Sequence, residues 1–174
     1  IIMSGDEKEL NTFIKKFRDD FMNLPPEDIA YPRSVNGISK YTDNSSGHDV
    51  AINLLDMKQQ VVKYNLFKSR SPIHVRGAIL YNHLVEKHKL NNKLVYIQEG
   101  DKIKFLHMKQ PNIYQSSSIS FVTELPKDLG LHELVDRELQ FEKSFIEPLK
   151  FITDKVLWRV CLLYTSPSPR DPKI

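Results

Sequence analysis

Apolar residues change their spacing twice along this chain, and this change restricts the fold more than any other feature. Near the start they recur every three or four residues, as in a helix with one buried face, at Leu10, Phe13, Ile14, Phe17 and Phe21. Between residues 102 and 105 they alternate with lysines, as in a strand. Helical spacing returns from residue 131, at Leu134, Phe141, Phe145 and Leu149. The pattern predicts an α+β fold in which helices flank a small antiparallel sheet.

The first helix has clear start and stop signals. Ser4 and Glu7 have the spacing of a capping box, so the helix is predicted to begin near Ser4. Pro25 and Pro26 lack backbone N–H groups and force the preceding residue out of the helical region, so the helix is predicted to end near Leu24.

The middle of the chain is predicted to hold a second helix over 75–88 and three strands, over 94–97, 102–107 and 118–122. Residues 31–48 are rich in small polar residues and turn formers, which predicts a loop. The apolar pattern of residues 50–69 fits a helix and a hairpin equally well. Pro148 is expected to kink the last helix or to restart it.

The composition excludes several classes of protein. Cys161 is the only cysteine among 174 residues, so the chain can build neither a disulfide framework nor a cysteine-based zinc site. No apolar run approaches the roughly 18 residues of a membrane span, which predicts a soluble chain without a membrane partner. The six histidines form no HExxH pattern, and phosphate-loop, dinucleotide-binding and nucleophile-elbow motifs do not occur. We therefore predict no catalytic residue, no metal site and no cofactor in this chain.

The net charge of +3 hides an uneven distribution. Residues 31–109 carry thirteen Lys and Arg against six Asp and Glu, whereas residues 1–30 carry four against seven and residues 110–159 six against eight. A basic middle between acidic flanks suits a polyanion such as nucleic acid. The alternative is an ordinary solvated surface.

Residues 31–48 contain the candidates for contacts with a nucleic-acid backbone. Arg33 and Lys40 can neutralise phosphates, and Ser34 and Asn36 can donate hydrogen bonds to phosphate oxygens. Gly37 permits a close approach of the backbone. A solvated surface loop explains the same residues, so both interpretations stay open here.

One segment carries a more specific signal. It reads Ser71-Pro72-Ile73-His74-Val75-Arg76-Gly77-Ala78-Ile79-Leu80-Tyr81-Asn82. It resembles the segment that begins Pro-x-His-x-Arg-Gly and ends Tyr-Asn in the thumb of replicative family B DNA polymerases from T-even-like tailed phages. The resemblance implies that His74 and Arg76 help to set the interior of the thumb and its approach to DNA. The alternative is a buried polar pair that only organises the start of the helix.

Other segments follow the order of the same family. Residues 17–21 resemble part of the first helix of the thumb, and residues 31–41 resemble the loop that meets the primer-template backbone. Residues 98–103 match the family's Glu-Gly-(Asp/Glu)-Lys strand-turn-strand. Residues 139–149 resemble its closing helix, with the pattern Glu-Lys-x-Phe-x-x-Pro-Leu. The resemblance covers residues 3–159.

The resemblance implies one thumb region over residues 1–159. Its parts would be a first helix over 1–24, a DNA-contacting loop with an insertion over 25–74, a helix with a small sheet over 75–128, and a closing helix over 129–159. Residues 50–69 have no counterpart in the family. Residues 160–174 hold a Pro- and Ser-rich stretch that resembles translated adapter read-through, so we expect a disordered, non-native tail. Because residue 1 is Ile rather than Met, we expect the chain to be a fragment.

The implied function is to grip the primer-template duplex through its backbone, without reading sequence, during phage DNA replication. The residues that this role implies are Arg33, Ser34, Asn36, Lys40, Arg76, Lys102 and Lys104. The implied partners are duplex DNA and the palm domain of the same polymerase, in the cytoplasm of an infected bacterium. The family also binds a sliding clamp through a short apolar peptide, but the Pro- and Ser-rich tail stands in its place here.

The chemistry of the implied polymerase would lie outside this chain. The Asp-Thr-Asp motif of the palm, the fingers motif and the exonuclease carboxylates do not occur, so we expect the chain alone not to polymerise. The resemblance implies Mg²⁺ in that palm, where it would serve two-metal nucleotidyl transfer. One alternative is a stand-alone nucleic-acid-binding or interaction module without polymerase activity. A third reading is a small independent enzyme.

Overall fold

The computed structural model describes residues 6–43 and 66–155. They form two compact units, the first with residues 6–24 and 141–155 and the second with residues 25–43 and 66–140. The combination of helices with three antiparallel strands confirms the predicted α+β class. Ser4, most of the 50–69 segment and the 160–174 tail lie outside the described residues.

The elements are α1 (Glu7–Asn23), α2 (Pro26–Ile29), β1 (Tyr31–Ser34), α3 (Ile38–Tyr41), α4 (Ile73–Lys87), β2 (Lys102–His107), β3 (Ser118–Phe121), α5 (Arg137–Phe141) and α6 (Glu147–Lys155). Two 3-10 turns, Lys127–Leu129 and His132–Leu134, precede α5, and a π-helical turn, Glu142–Ile146, separates α5 from α6. The predicted second helix and the strands over 102–107 and 118–122 are confirmed. None of the helices within 6–43 and 66–155 is long and apolar enough to cross a membrane.

Helix α1 begins at a different cap from the one predicted. Asp6 is the N-cap, and its Oδ1 accepts a hydrogen bond from the backbone N–H of Glu9 at 3.0 Å. Asp6 and Glu9 have the same spacing as Ser4 and Glu7, so the sequence contains two overlapping capping signals. The predicted end is confirmed, because Leu24 is the C-cap and has an extended backbone before Pro25.

The apolar stripes predicted at the two ends of the chain meet in an aromatic cluster within the first unit. The ring centroid of Phe17 lies 4.7 Å from that of Phe145 and 5.9 Å from that of Phe141. Phe21 packs edge-on against Phe141 at 5.1 Å. Phe13 stacks on Phe17 but stays 45% exposed, so the expectation that it belongs to the core is wrong.

Pro148 perturbs the last helix as predicted. In the preceding π turn the backbone N–H of Glu147 bonds to the carbonyl of Glu142, five residues back. Pro148 has no N–H to donate to the turn before it. The wider turn ends at Ile146, two residues before this proline, and regular α-helical winding restarts in α6.

The sheet of the second unit has the order β1-β2-β3, and both strand pairs are antiparallel. Along β2, Ile103 and Phe105 are buried, Lys102 is exposed and Lys104 is half-buried, so the predicted alternation holds over these four residues and ends at the buried Leu106. Helix α4 packs closely on β3. The Oγ atoms of Ser118 and Ser120 donate to the carbonyls of residues 73 and 74 at 2.5 and 2.8 Å.

The prediction of a loop over residues 31–48 is wrong for two parts of that segment. Residues 31–34 form strand β1, and residues 38–41 form helix α3. Strand β1 pairs with β2, with Tyr31 opposite Phe105 and Arg33 opposite Ile103. Local composition did not reveal this strand because its partner lies far along the chain, and strand formation depends strongly on such neighbours.

The prediction of a strand over 94–97 is also wrong. The side chain of Asn82 bonds to the backbone of Ile97, where a neighbouring strand would otherwise supply the hydrogen bonds. The Asn82 Oδ1 accepts from the N–H of Ile97 at 2.8 Å, and the Asn82 Nδ2 donates to the carbonyl of Ile97 at 2.9 Å. These two bonds replace the pair that a neighbouring strand would form with Ile97.

Replacement of Asn82 by alanine is expected to lower the free energy of unfolding by about 1 to 2 kcal/mol, because the backbone N–H and the carbonyl of Ile97 both lose their hydrogen-bond partners. Urea denaturation of the 174-residue chain measures this change. Replacement of Asn92 serves as the control, since its side chain is exposed. An Asn82 variant as stable as the Asn92 control would contradict the role assigned to these two bonds.

Gln140 connects three parts of the second unit from a fully buried position. Its Oε1 accepts from the backbone N–H of His107 at 3.0 Å and lies 2.8 Å from the Nδ1 of His107. Its Nε2 donates to the carbonyl of Ile29 at 2.8 Å. One amide on α5 therefore fastens the end of β2 to the end of α2.

Candidate nucleic-acid interface

The four candidates from the 31–48 segment lie on one short stretch of ordered backbone. Arg33 and Ser34 end β1, Asn36 follows them, and Lys40 lies on α3, and all four side chains are exposed. Val35 lies between them and is completely buried. The structure therefore presents these polar side chains from a fixed strand and helix rather than from a free loop.

Backbone hydrogen bonds tie this stretch to the turn before β2. The N–H of Val35 donates to the carbonyl of Asp101 at 3.0 Å, and the N–H of Gly100 donates to the carbonyl of Val35 at 2.7 Å. Gly37 follows with φ at +96°, a left-handed conformation that favours glycine. An added Cβ would also lie 2.9 Å from the Tyr41 ring.

Glu99 accepts hydrogen bonds from the same stretch. Its Oε2 accepts from the N–H of Gly37 at 2.7 Å, and its Oε1 accepts from the N–H of Ser39 at 3.1 Å. These bonds, the one from Gly37 first, lower the pKa of the Glu99 carboxyl, so the group is ionised at neutral pH. The backbone donors expected to approach a ligand are therefore bonded to an acidic side chain of the protein itself.

The two β2 lysines differ in their surroundings. Lys102 is exposed and lies opposite Ser34 in the register, so its side chain projects from the face of the sheet opposite to that of Arg33. Lys104 lies opposite Pro32 and is half-buried. Its Nζ donates to the carbonyl of Glu27 at 3.1 Å, which binds it to α2.

The guanidinium of Arg76 bonds to the chain segment before α4. Its Nε donates to the carbonyl and to the Oγ of Ser71, both at 3.0 Å, and its Nη2 donates to the carbonyl of Ser69 at 2.5 Å. It also lies over the ring of Phe67, 5.4 Å from the centroid. This arrangement favours the alternative in which Arg76 organises the start of the helix.

His74 adds little positive charge to this region. Burial lowers the pKa of its imidazole and the nearby Arg33 guanidinium lowers it further, although a hydrogen bond with the Ser34 backbone acts in the opposite direction. Its ring lies 6.3 Å from that of Phe105, within the face of the sheet that α4 covers. A neutral imidazole is therefore expected at pH 7.

Lys68 lies beside α3, and neither Lys68 nor the nearby Arg70 was among the residues predicted to contact a nucleic acid. The backbone N–H of Lys68 donates to the carbonyl of Tyr41 at 2.8 Å, and its Nζ donates to the carbonyl of Lys40 at 2.8 Å. Arg70 is exposed two residues further on. The sequence signal was only their charge, because the pairing of Thr42 with Phe67 that brings them here joins distant residues.

We define the basic surface of the second unit as Arg33, Lys40, Lys68 and Arg70. All four side chains are exposed, and hydrogen bonds join the segment of Lys68 to that of Lys40. The surface offers cations on an ordered backbone, with Ser34 and Asn36 as neighbouring hydrogen-bond donors. This arrangement can bind a chain of phosphates, since it needs no particular base sequence to do so.

A groove of about 1120 Å³ in the second unit is less suited to a polyanion. Its lining includes Lys93, Lys102 and Lys127 but also four carboxylates: Glu27, Asp101, Glu124 and Asp128. Lys93 and Asp128 form an ion pair at 2.8 Å. The mixed charge favours the basic surface as the candidate site for phosphates.

Comparison with known proteins gives one informative similarity. No protein-family model matches the chain. The chain is 26% identical over 152 residues to the DNA-directed DNA polymerase of Enterobacteria phage T4. The alignment covers 85% of this chain but only 14% of that polymerase, so the chain spans about one seventh of the length of this relative. The chain is thus similar to one segment of a phage DNA polymerase.

Proposed function

We propose that this chain is the thumb region of a phage-type family B DNA polymerase and that it grips primer-template duplex through the phosphodiester backbone. The observation that carries the proposal is the exposed pair Arg33 and Lys40 on ordered backbone, within a chain similar to a segment of the phage T4 polymerase. The order of the thumb-like segments in the sequence supports the same assignment.

The contacts available on the basic surface suit grip rather than sequence recognition. Arg33 and Lys40 supply charge, and Ser34 and Asn36 supply donors for phosphate oxygens. Such contacts fix a duplex in place without reading its bases, as a replicative polymerase requires. Lys102 is a further exposed cation on the opposite face of the sheet from Arg33, whereas Arg76 and Lys104 are only partly exposed and donate to neighbouring backbone.

The proposed role places nucleotidyl transfer in a palm domain that is not part of this sequence, where Mg²⁺ would supply the metal chemistry. Among residues 6–43 and 66–155 no three His, Cys, Asp or Glu side chains are grouped so that they could hold a metal ion. The residues described therefore do not fit a Mg²⁺ site, and no chemical step is assigned to them.

Replacement of Arg33 and Lys40 together by alanine is expected to weaken binding to a short primer-template duplex by about 60-fold at about 0.1 M salt. The estimate follows from the loss of two phosphate contacts, each of which contributes about 0.9 to the slope of log affinity against log salt, so the slope should fall by about 1.8. Fluorescence anisotropy across a salt series measures both quantities.

The matched control replaces Lys15 and Lys16 by alanine. Both lysines are exposed in the first unit, and their replacement removes the same amount of positive charge. It should retain most of the affinity and the slope. Binding that is absent or insensitive to salt in a folded wild-type chain would overturn the gripping role. Equal losses in the control and in the Arg33 and Lys40 variant would show that only net charge matters.

A further inference from the structure

Glu99 is an acidic side chain within a basic surface, and its charge and its geometry predict opposite effects on DNA binding. By charge alone, a carboxylate near a phosphodiester backbone should weaken binding. By geometry, the same carboxylate holds the N–H groups of Gly37 and Ser39 between the two cations of the proposed grip. The net effect on affinity shows which of the two dominates.

The contacts of Glu99 favour the geometric effect. Helix α3 has only four residues, too few to be stable by itself, and Gly37 at its N-cap has no side chain with which to bond the first free N–H groups. Glu99 supplies acceptors for these groups from a distant part of the chain. Lys40 lies on α3, so its position depends on this helix.

Glu99 is itself held in place. The neighbouring residues bond to the backbone of Val35: the N–H of Gly100 donates to its carbonyl, and the carbonyl of Asp101 accepts from its N–H. Val35 itself is completely buried. The backbone of Glu99 is therefore fixed relative to β1, and a single side chain extends from it to α3. Arg33 precedes Val35 and Lys40 follows Ser39, so the carboxylate of Glu99 links the segments that carry these two cations.

We propose that Glu99 is a positioning residue for phosphodiester binding, which strengthens the grip by fixing Lys40 and α3 relative to Arg33, despite its own negative charge. The inference rests on the proposed function and names a residue that acts through others. It predicts that removal of a negative charge weakens the binding of a polyanion.

Replacement of Glu99 by alanine should weaken binding to the same duplex about eightfold at about 0.1 M salt and should lower the salt slope by about 0.9, the equivalent of one phosphate contact. Replacement of Glu99 by glutamine, which keeps one acceptor oxygen, should give a smaller loss. Unchanged or tighter binding by the alanine variant would overturn the proposal, because it would mean that charge repulsion outweighs positioning.

Two controls separate positioning from loss of charge and from loss of fold. Glu86 is exposed on α4, and its replacement by alanine removes the same charge, so affinity should stay equal or rise. In the chain that already lacks the Arg33 and Lys40 side chains, the Glu99 replacement should cause no further loss. A full additional loss in that background would overturn the claim that Glu99 acts through these cations.

The outcomes also separate this inference from the proposed function. If the wild-type chain binds duplex with a salt slope but the Glu99 variants bind equally well, only the role of Glu99 fails. If the folded wild-type chain does not bind duplex at all, the proposed function fails and the role of Glu99 fails with it. Circular dichroism of each variant confirms that the second unit remains folded.

Discussion

Replacement of Gly77 by alanine is expected to lower the free energy of unfolding by about 3 kcal/mol, although alanine is the better helix former. A Cβ atom at residue 77 would lie 2.7 Å from the backbone nitrogen of Ser120 and 2.8 Å from the carbonyl carbon of Ile119. Both atoms belong to β3, and a strand hydrogen-bonded to its neighbour cannot yield as a flexible side chain can. Chemical denaturation of the 174-residue chain measures the loss.

A second site tests whether the backbone is the obstacle at Gly77. The same Cβ would lie 2.5 Å from the Oγ of Ser120, so a Ser120→Gly replacement removes that contact but leaves both backbone contacts. It should therefore fail to rescue the Gly77→Ala variant, and full rescue would contradict the explanation. Gly130→Ala is a useful comparison, because its cost should come only from a φ of +64° and not from crowding.

Replacement of Gln140 by methionine is expected to cost about 2 to 4 kcal/mol of unfolding free energy, because methionine keeps the volume but loses the amide. The carbonyl of Ile29 and the N–H of His107 would both lose their partner while they remain inside the protein. Thermal and urea unfolding of the variant measure the change. Gln98→Met is the matched control, since that side chain is exposed and its loss should cost little.

The result for Gln140 has a local signature as well. The Nδ1 of His107 lies 2.8 Å from the Gln140 Oε1, so the NMR resonances of that imidazole should shift in the variant. A variant that matches the Gln98 control in stability would show that the buried amide is not the connection between α2 and β2 described here.

The sequence predicted those elements whose signals are local. The period of the apolar residues identified α1, α4 and β2, because each has a face that must be buried. Strand β3 was also predicted, although all four of its residues are buried. The proline signals were read correctly at Leu24 and before Pro148, since a missing N–H acts within one turn. The alternation at Lys102 and Ile103 also gave the correct inward and outward faces.

The errors occurred where distant residues decide the structure. Strand β1 exists because β2 pairs with it, and residues 94–97 remain irregular because Asn82 bonds to Ile97. Neither partner can be recognised from the residues near the segment itself. The buried amide of Gln140 was missed for the same reason, since a polar residue in a helical stripe is normally read as exposed.

The candidate site was only partly accessible from sequence. Arg33 and Lys40 were selected by residue type, and their position in the DNA-binding role stays a prediction. Glu99 was predicted only as part of a turn motif, because its bonds to Gly37 and Ser39 span 62 and 60 positions of sequence. Arg76 and Lys104 were selected by charge, which does not reveal whether a cation already has acceptors within the protein.

The open side of β1 explains how this sheet resists the addition of another strand. In the described part of the chain β1 is an edge strand, and the backbone of Val35 bonds toward β2. Backbone groups of successive residues in a strand point alternately toward and away from the neighbouring strand, so the N and O of Pro32 point outward. Proline offers no donor there, and the Nη1 of Arg33 donates to the Pro32 carbonyl at 3.0 Å, which uses one of the two acceptor positions of that oxygen. At residue 32 this edge therefore offers an added strand no donor and an acceptor that already has a partner, which makes the edge a poor template for pairing at this position.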